Sequence, residues 1–152
     1  MFSQTVEYAL RAAIYLAQQA PTPCTTQQMA DATQVPRAYL SKVLQRLTEQ
    51  GLVRSQRGAG GGVALARDPA EIDILSIVNA VDPIGRIATC PLGIADHRER
   101  LCPLHERLDL AIAEVERALQ SSNLAELLAD PDGRLPLCES VGAAVRPVFP
   151  HS

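Results

Sequence analysis

Cys90, Cys102 and His105 carry the first chemical signal of the chain. Cys102 and His105 are three residues apart, so on a helix both project from one face. Thiolate and imidazole are the donors preferred by iron–sulfur clusters and by zinc. Two thiols in one region also suit a thiol–disulfide switch, and a purely structural role for both is the remaining reading. A second signal is the stretch 36–50. Leu40, Val43, Leu44 and Leu47 line one helical face, and Arg37, Tyr39, Ser41, Lys42, Gln45 and Arg46 line the other. Short polar and basic side chains backed by aliphatics are what a helix needs to lie in a major groove. A third signal is Arg57-Gly58-Ala59-Gly60-Gly61-Gly62. Its glycines permit positive φ and close backbone approach to a phosphate, and Arg57 at its base suits a narrow minor groove. No Gly-Lys-Ser/Thr follows, which excludes a nucleotide P-loop, and no nucleophile stands at a recognisable spacing from a base, so no enzyme is expected.

These residues need elements to position them. Ser3 caps a first helix to about Gln19, with Val6, Ala9, Leu10, Ala13 and Ala17 on one face. Pro21 and Pro23 stop it. Thr25 or Thr26 caps a short helix, Thr33–Val35 breaks it, and Pro36 starts the next, which ends at Gly51. Leu52–Arg54 and Val63–Ala66 read as a hairpin joined by the glycine-rich loop. Asp73 caps a further helix through Val81. Short helix, turn, amphipathic helix and hairpin is the order of a winged helix-turn-helix. The expected fold is therefore mainly α with a small β-hairpin wing, plus a long dimerisation helix. That helix runs from Cys102 to about Ser121 with Pro103 first. Leu101, Leu104, Leu108, Ala111, Val115 and Ala118 form a heptad seam, widened by Ile112 and Leu119, which predicts a helix–helix contact in a homodimer. Ser122 or Asn123 caps a final short helix. The expected organisation is a DNA-binding domain at 1–82, a sensor loop at 83–101, the dimerisation and C-terminal helices at 102–129, and a loosely ordered tail at 130–152.

Composition sets the frame. The net charge is −3 and 47% of residues are hydrophobic, enough for an aliphatic core and against wholesale disorder. Residues 1–70 hold seven Lys/Arg against four acids, whereas residues 71–152 hold seven against thirteen. A basic working surface on one half and an acidic body on the other follow from that split. No apolar run approaches the roughly 18 residues of a membrane span and no secretory signal is evident. A cytoplasmic protein, with reduced thiols and no membrane partner, is expected.

Tyr39-Leu40, Leu44, Leu47, Gly51-Leu52-Val53, the Arg57–Gly62 loop, Ile77 through Asp82, and the opening Tyr8-Ala9-Leu10-Arg11-Ala12 together resemble the IscR/NsrR type of bacterial winged-helix regulators, over roughly residues 2–120. The resemblance implies a homodimeric transcription factor on a pseudo-palindromic double-stranded operator. By it, Tyr39 and Arg57 fall at DNA-contacting positions, and Ser41 stands where such regulators can carry an acidic specificity residue. Arg37, Lys42, Arg46 and Gly60 complete the expected DNA face. Many members of the family hold an iron–sulfur cluster. Cys90, Cys102 and His105 match the first-cysteine, third-cysteine and histidine positions of that pattern, the middle position being Asp96 with His97 beside it. A 2Fe–2S cluster would then take a further donor from Asp96, His97 or the partner's Glu7, a position that supplies a carboxylate in some members. Zinc, or no cofactor with a thiol switch, is the alternative. A winged-helix module that binds protein is the reading from a different class. Cys24 and Cys138 match nothing in the family.

Overall fold

The computed structural model describes residues 2–94 and 100–132. Helix α1 (Gln4–Gln19) is capped by the Ser3 side chain, which accepts from the Val6 N–H. Helix α2 (Thr26–Thr33) starts in a capping box, Thr25 Oγ1 taking the Gln28 N–H while the Gln28 side chain takes the Thr25 N–H, so two orphan donors are satisfied. Gln34 turns the chain with φ 57. Helix α3 (Arg37–Glu49) follows, with Pro36 as its N-cap and not its first residue, so it starts one position later than expected. Strands β1 (Val53–Gln56) and β2 (Gly62–Leu65) pair antiparallel, Val53 opposite Leu65 and Gln56 opposite Gly62. A 3-10 turn at Pro69–Glu71 precedes α4 (Ile74–Val81), capped by Asp73. Helix α5 (Pro103–Gln120) has Cys102 as N-cap, and α6 (Leu124–Leu128) is capped by Asn123.

Helix α1 is the centre of the body. Its face of Val6, Ala9, Ala12, Ala13, Leu16 and Ala17 is buried, and it packs against α2, α3, α4, α6 and β2. Alanine there lets neighbouring helices approach closely at interior packing density. Leu40, Val43, Leu44 and Leu47 of α3 and Ile74, Ile77, Val78 and Val81 of α4 complete the core.

Two parts of the chain lie otherwise than their order suggests. Helix α6, grouped by sequence with α5, is docked into the N-terminal body: Leu124 is fully buried, its N–H donates to Ile72 O at 3.1 Å, and the Ile74 N–H donates to Ser122 O at 3.0 Å. Helix α5 buries none of its residues completely. Leu119 packs on the core, whereas Leu104 and Leu108 of the heptad seam are 62% and 47% exposed. The expected sensor loop has no regular element over 83–94, and residues 95–99, with Asp96 and His97, lie outside the described residues, as do Cys138 and the tail from 133.

Because α1 is packed through alanines, Ala12→Leu should destabilise the protein by about 1–3 kcal/mol. Ala38→Leu, at an exposed site on α3, should leave stability nearly unchanged. Urea denaturation followed by circular dichroism checks both.

Candidate nucleic-acid interface and sensor site

Burial of the aliphatic face of α3 turns its polar face outward. Arg37, Tyr39, Ser41, Lys42 and Gln45 are exposed, Tyr39 by 51%. Tyr39 is not loose. Its ring lies 5.8 Å from the Tyr8 ring of α1 at a tilted 58°, and Lys42 Nζ stands 5.9 Å from its centroid, the range of an aromatic pair and a cation–π contact. The Ser41 hydroxyl donates to Arg37 O at 3.1 Å. Arg46, expected with this group, is held elsewhere: its Nη1 donates to Val81 O at 2.9 Å at the C-terminal end of α4. It thereby fastens α3 to α4 at a carbonyl that the helix cannot satisfy itself. Tyr8 was not singled out as part of the face, because an i, i+3 pattern cannot show which α1 residue meets α3.

The hairpin is seated on the α1–α2 connection. Cys24 N–H donates to Val63 O at 2.8 Å and Val63 N–H to Cys24 O at 2.7 Å, so a single-residue antiparallel bridge ties the wing to that connection. A Cβ at Gly62 would lie 2.5 Å from Cys24 O, which only glycine avoids. Arg57 and Gly60 are exposed, Gly60 with φ 74 at the loop tip. Cys24 itself is buried, and burial pushes its thiol pKa up. It is a packed, protonated side chain at neutral pH, not a reactive one.

The second cluster is at the start of α5. Cys102 Sγ and His105 Nδ1 are 3.2 Å apart, the i, i+3 geometry that the sequence suggests. Cys90 is a partly buried reduced thiol in the loop, its carbonyl accepting from the Gly93 N–H at 3.0 Å. Glu7 accepts from Arg11 Nε at 3.0 Å. Among the described residues no three His, Cys, Asp or Glu side chains come together as a metal site. The described residues thus place a thiol–imidazole pair at the start of α5, two of the donors that a four-coordinate shell needs.

Sequence reading missed the contact that holds the loop. Arg86 donates from Nε to Asp109 Oδ1 at 2.7 Å and from Nη2 to Asp109 Oδ2 at 2.5 Å, and from Nη1 to Glu116 Oε2 at 3.3 Å. The Ile87 N–H adds a bond to Asp109 Oδ1 at 2.8 Å. The Arg86 side chain and the Ile87 N–H together hold the Asp109 carboxyl down to about 2. The one available signal was the spacing of Asp109 and Glu116, two acids on one side of α5, which reads equally well as a solvated face. Beside this contact an apolar groove of about 470 Å³ runs between Phe2, Ile84, Ile87, Leu108, Ile112 and Val115.

A polar helix face next to a glycine-rich hairpin, on a compact helical body, defines a winged helix-turn-helix of the transcription-regulator class. The comparisons agree. The model of the Rrf2 family, described as iron-dependent transcriptional regulators, matches residues 2–130, and the chain belongs to that family. An HTH-type transcriptional regulator of Mycobacterium tuberculosis (strain H37Rv) is 32% identical over 127 residues, 82% of this chain and 79% of the relative. The regulator NsrR of Bacillus subtilis is 33% identical over 97 residues, 63% of this chain and 64% of its own length. Among solved structures, IscR of T. potens superposes with a TM-score of 0.72 at 25% identity, over 86% of this chain and 87% of that one. CymR, described as the global cysteine regulator of B. subtilis, gives 0.71 at 24% identity, over 85% and 96%, and shows the same fold. These relatives are regulators, and the chain is not an enzyme. No described helix is long and apolar enough to cross a membrane.

The Gly62 contact predicts a selective effect. Gly62→Ala puts a methyl group against a backbone carbonyl and strains a positive φ, so stability should fall by about 1–3 kcal/mol. Gly85→Ala, where a Cβ meets nothing within 4 Å, should cost far less. Thermal melting of the two variants makes the comparison.

Proposed function

We propose that the chain is a homodimeric repressor-type regulator that reads a pseudo-palindromic DNA duplex with two copies of α3 and the wing, under control of a thiol or metal site on α5. The observation that carries the DNA reading is the exposed face of α3, where Tyr39 is braced by Tyr8 and carries Lys42 against its ring. A braced side chain loses little conformational freedom on binding. Arg37 and Lys42 serve as phosphate or base contacts, Tyr39 and Ser41 as groove contacts, and Arg57 with Gly60 as the minor-groove probe. Arg46, engaged with Val81, contributes mainly by fixing the angle of α3. The face's chemistry favours DNA over the protein-binding module.

Dimerisation is supported by α5. Leu104 and Leu108 are both exposed at i, i+4 on α5, and the heptad spacing suits a second copy of the same helix. Control is proposed to lie with Cys90, Cys102 and His105, completed by the partner's Glu7. Thiolates and imidazole are suitable donors for an iron–sulfur cluster, in line with the family description, and such a cluster would supply one-electron redox chemistry. For the cluster to form, Cys90 must join the Cys102–His105 pair, and Glu7 must leave Arg11. A cluster-free thiol–disulfide or zinc-responsive regulator needs only the first of these, and the proximity of Cys102 and His105 serves it equally well. The site lies between the proposed dimer helix and the DNA-reading body. Its occupancy or oxidation would change the loop at 83–94 and with it the relation of the two recognition helices, the differential interaction that a switch requires. A cytoplasmic location follows from this role.

Arg57→Ala should weaken binding to a specific duplex by about 1–3 kcal/mol if the side chain reads bases. Fluorescence anisotropy on specific and random duplexes at several salt concentrations tests this, and affinity should fall steeply with salt. Equal losses on both duplexes would reduce Arg57 to a phosphate contact, and failure to bind any duplex among genomic fragments would overturn the reading. Leu108→Glu should yield monomers by multi-angle light scattering, because the seam would have to bury a charge. A folded, dimeric variant would place the dimer contact elsewhere.

A further inference from the structure

The linker after α4 meets α5 through one arginine, and the arrangement is more specific than a surface ion pair. Arg86 grips Asp109 with two nitrogens and reaches Glu116 with a third. Asp109 and Glu116 are separated by two helical turns, so the guanidinium lies along one face of α5. A bidentate guanidinium–carboxylate pair fixes direction as well as distance. The backbone is fixed too, since the Ile87 N–H donates to the same carboxylate. With its carboxyl held down to about 2, Asp109 stays charged throughout the physiological range.

We propose that the Arg86–Asp109–Glu116 clip is the positioning device of the thiol site, delivering Cys90 to the Cys102–His105 pair. The inference rests on the reading of that site given above. Cys102 is seven residues before Asp109, about 10 Å along the helix axis. Cys90 is three residues beyond Ile87, a span of at most about 10 Å. The clip thus holds the loop at a point from which the Cys90 thiol and the N-terminus of α5 are mutually reachable. The chain then turns back, the Cys90 carbonyl accepting from the Gly93 N–H at 3.0 Å with Gly93 at φ 64. Without the clip, the next upstream anchor is Ile84, whose N–H donates to Asn79 Oδ1 at 3.0 Å. The reach of Cys90 would grow from about 10 Å to about 20 Å, and its local concentration at Cys102 would fall roughly eightfold with the accessible volume. Arg86 and Asp109 are positioning residues. They touch no ligand and act through where Cys90 stands.

The test uses the metal-free, reduced, full-length chain carrying Cys24→Ala and Cys138→Ser, so that Cys90 and Cys102 are the remaining thiols. Dibromobimane is the probe. Each thiolate displaces one bromide, the proton passing to buffer, and the product fluoresces strongly once both arms have reacted. The parent should give fluorescent, internally linked monomers on a denaturing gel. Arg86→Ala and Asp109→Asn should slow linkage by about fivefold to tenfold, while circular dichroism melts remain cooperative. Arg86→Lys, which keeps the charge and loses the fork, should also be slowed. The exchanged pair Arg86→Asp with Asp109→Arg should recover part of the rate. Unchanged linkage in folded Arg86→Ala and Arg86→Lys overturns the clip and leaves the thiol site standing. No linkage in the parent, or linkage between chains only, overturns the thiol site itself, and the clip with it.

Discussion

The burial of α1 through alanine is the constraint on which the rest of the structure depends. Ala9 and Ala12 are fully buried and Ala13 nearly so, and a helix with so thin a face can be approached from several sides at once. Helices α2, α3, α4 and α6 and strand β2 all rest on it. Larger side chains would push α3 and α4 apart, and the recognition face would lose its fixed angle. Two further contacts depend on that closeness: Arg46 reaching the end of α4, and Tyr8 reaching Tyr39. A small core of aliphatic residues, with no Trp in the chain, therefore produces a rigid surface through backbone proximity in place of aromatic bulk.

The wing is rigid for a related reason. A two-stranded hairpin alone is marginal in water. Here the paired backbones of Cys24 and Val63 add a bridge of two hydrogen bonds beside β2, at a distance that leaves no room for a side chain at Gly62. The glycine-rich loop thus divides by task. Gly60 belongs to the exposed tip, whereas Gly62 belongs to the seat of the hairpin. A count of glycines suggests flexibility, but the second of these glycines permits the close approach that anchors the wing.

Local signals in the sequence were strong wherever a backbone group needed a side-chain partner. Ser3, Thr25, Asp73 and Asn123 mark helix starts because a cap is a contact within three residues, and the i, i+3 relation of Cys102 and His105 survives as a contact. What was not legible depends on residues distant in sequence. Arg46 reads as one more exposed cation until α4 brings Val81 beside it, and Arg86 reads as a loop residue until α5 presents Asp109 and Glu116. Helix α6 follows α5 in sequence yet returns to the first half through Ile72 and Ile74, because Leu124 needs a core that α5 does not provide. Spacing can show that a seam exists on α5. It cannot show that Leu119 is taken by the chain's own core while Leu104 and Leu108 are left over.

That division gives α5 its place in the proposed regulator. The C-terminal end of the helix is tied to its own chain through Leu119 and its middle through the Arg86 clip, whereas Leu104 and Leu108 near its start are exposed. A helix held at its far end and middle and open at its start can transmit a change at its N-terminus without dissolving the fold, since α1, α3 and the wing keep their shared core. The charge split of the chain fits the same plan. Acids on α5 hold the loop, while among the described residues the cations of α3 and the wing make no ion pair with a carboxylate. Of the cations expected to face DNA, Lys42 lies against Tyr39 on its own helix, whereas Arg46 reaches across to Val81 and so ties the angle of α3 to α4.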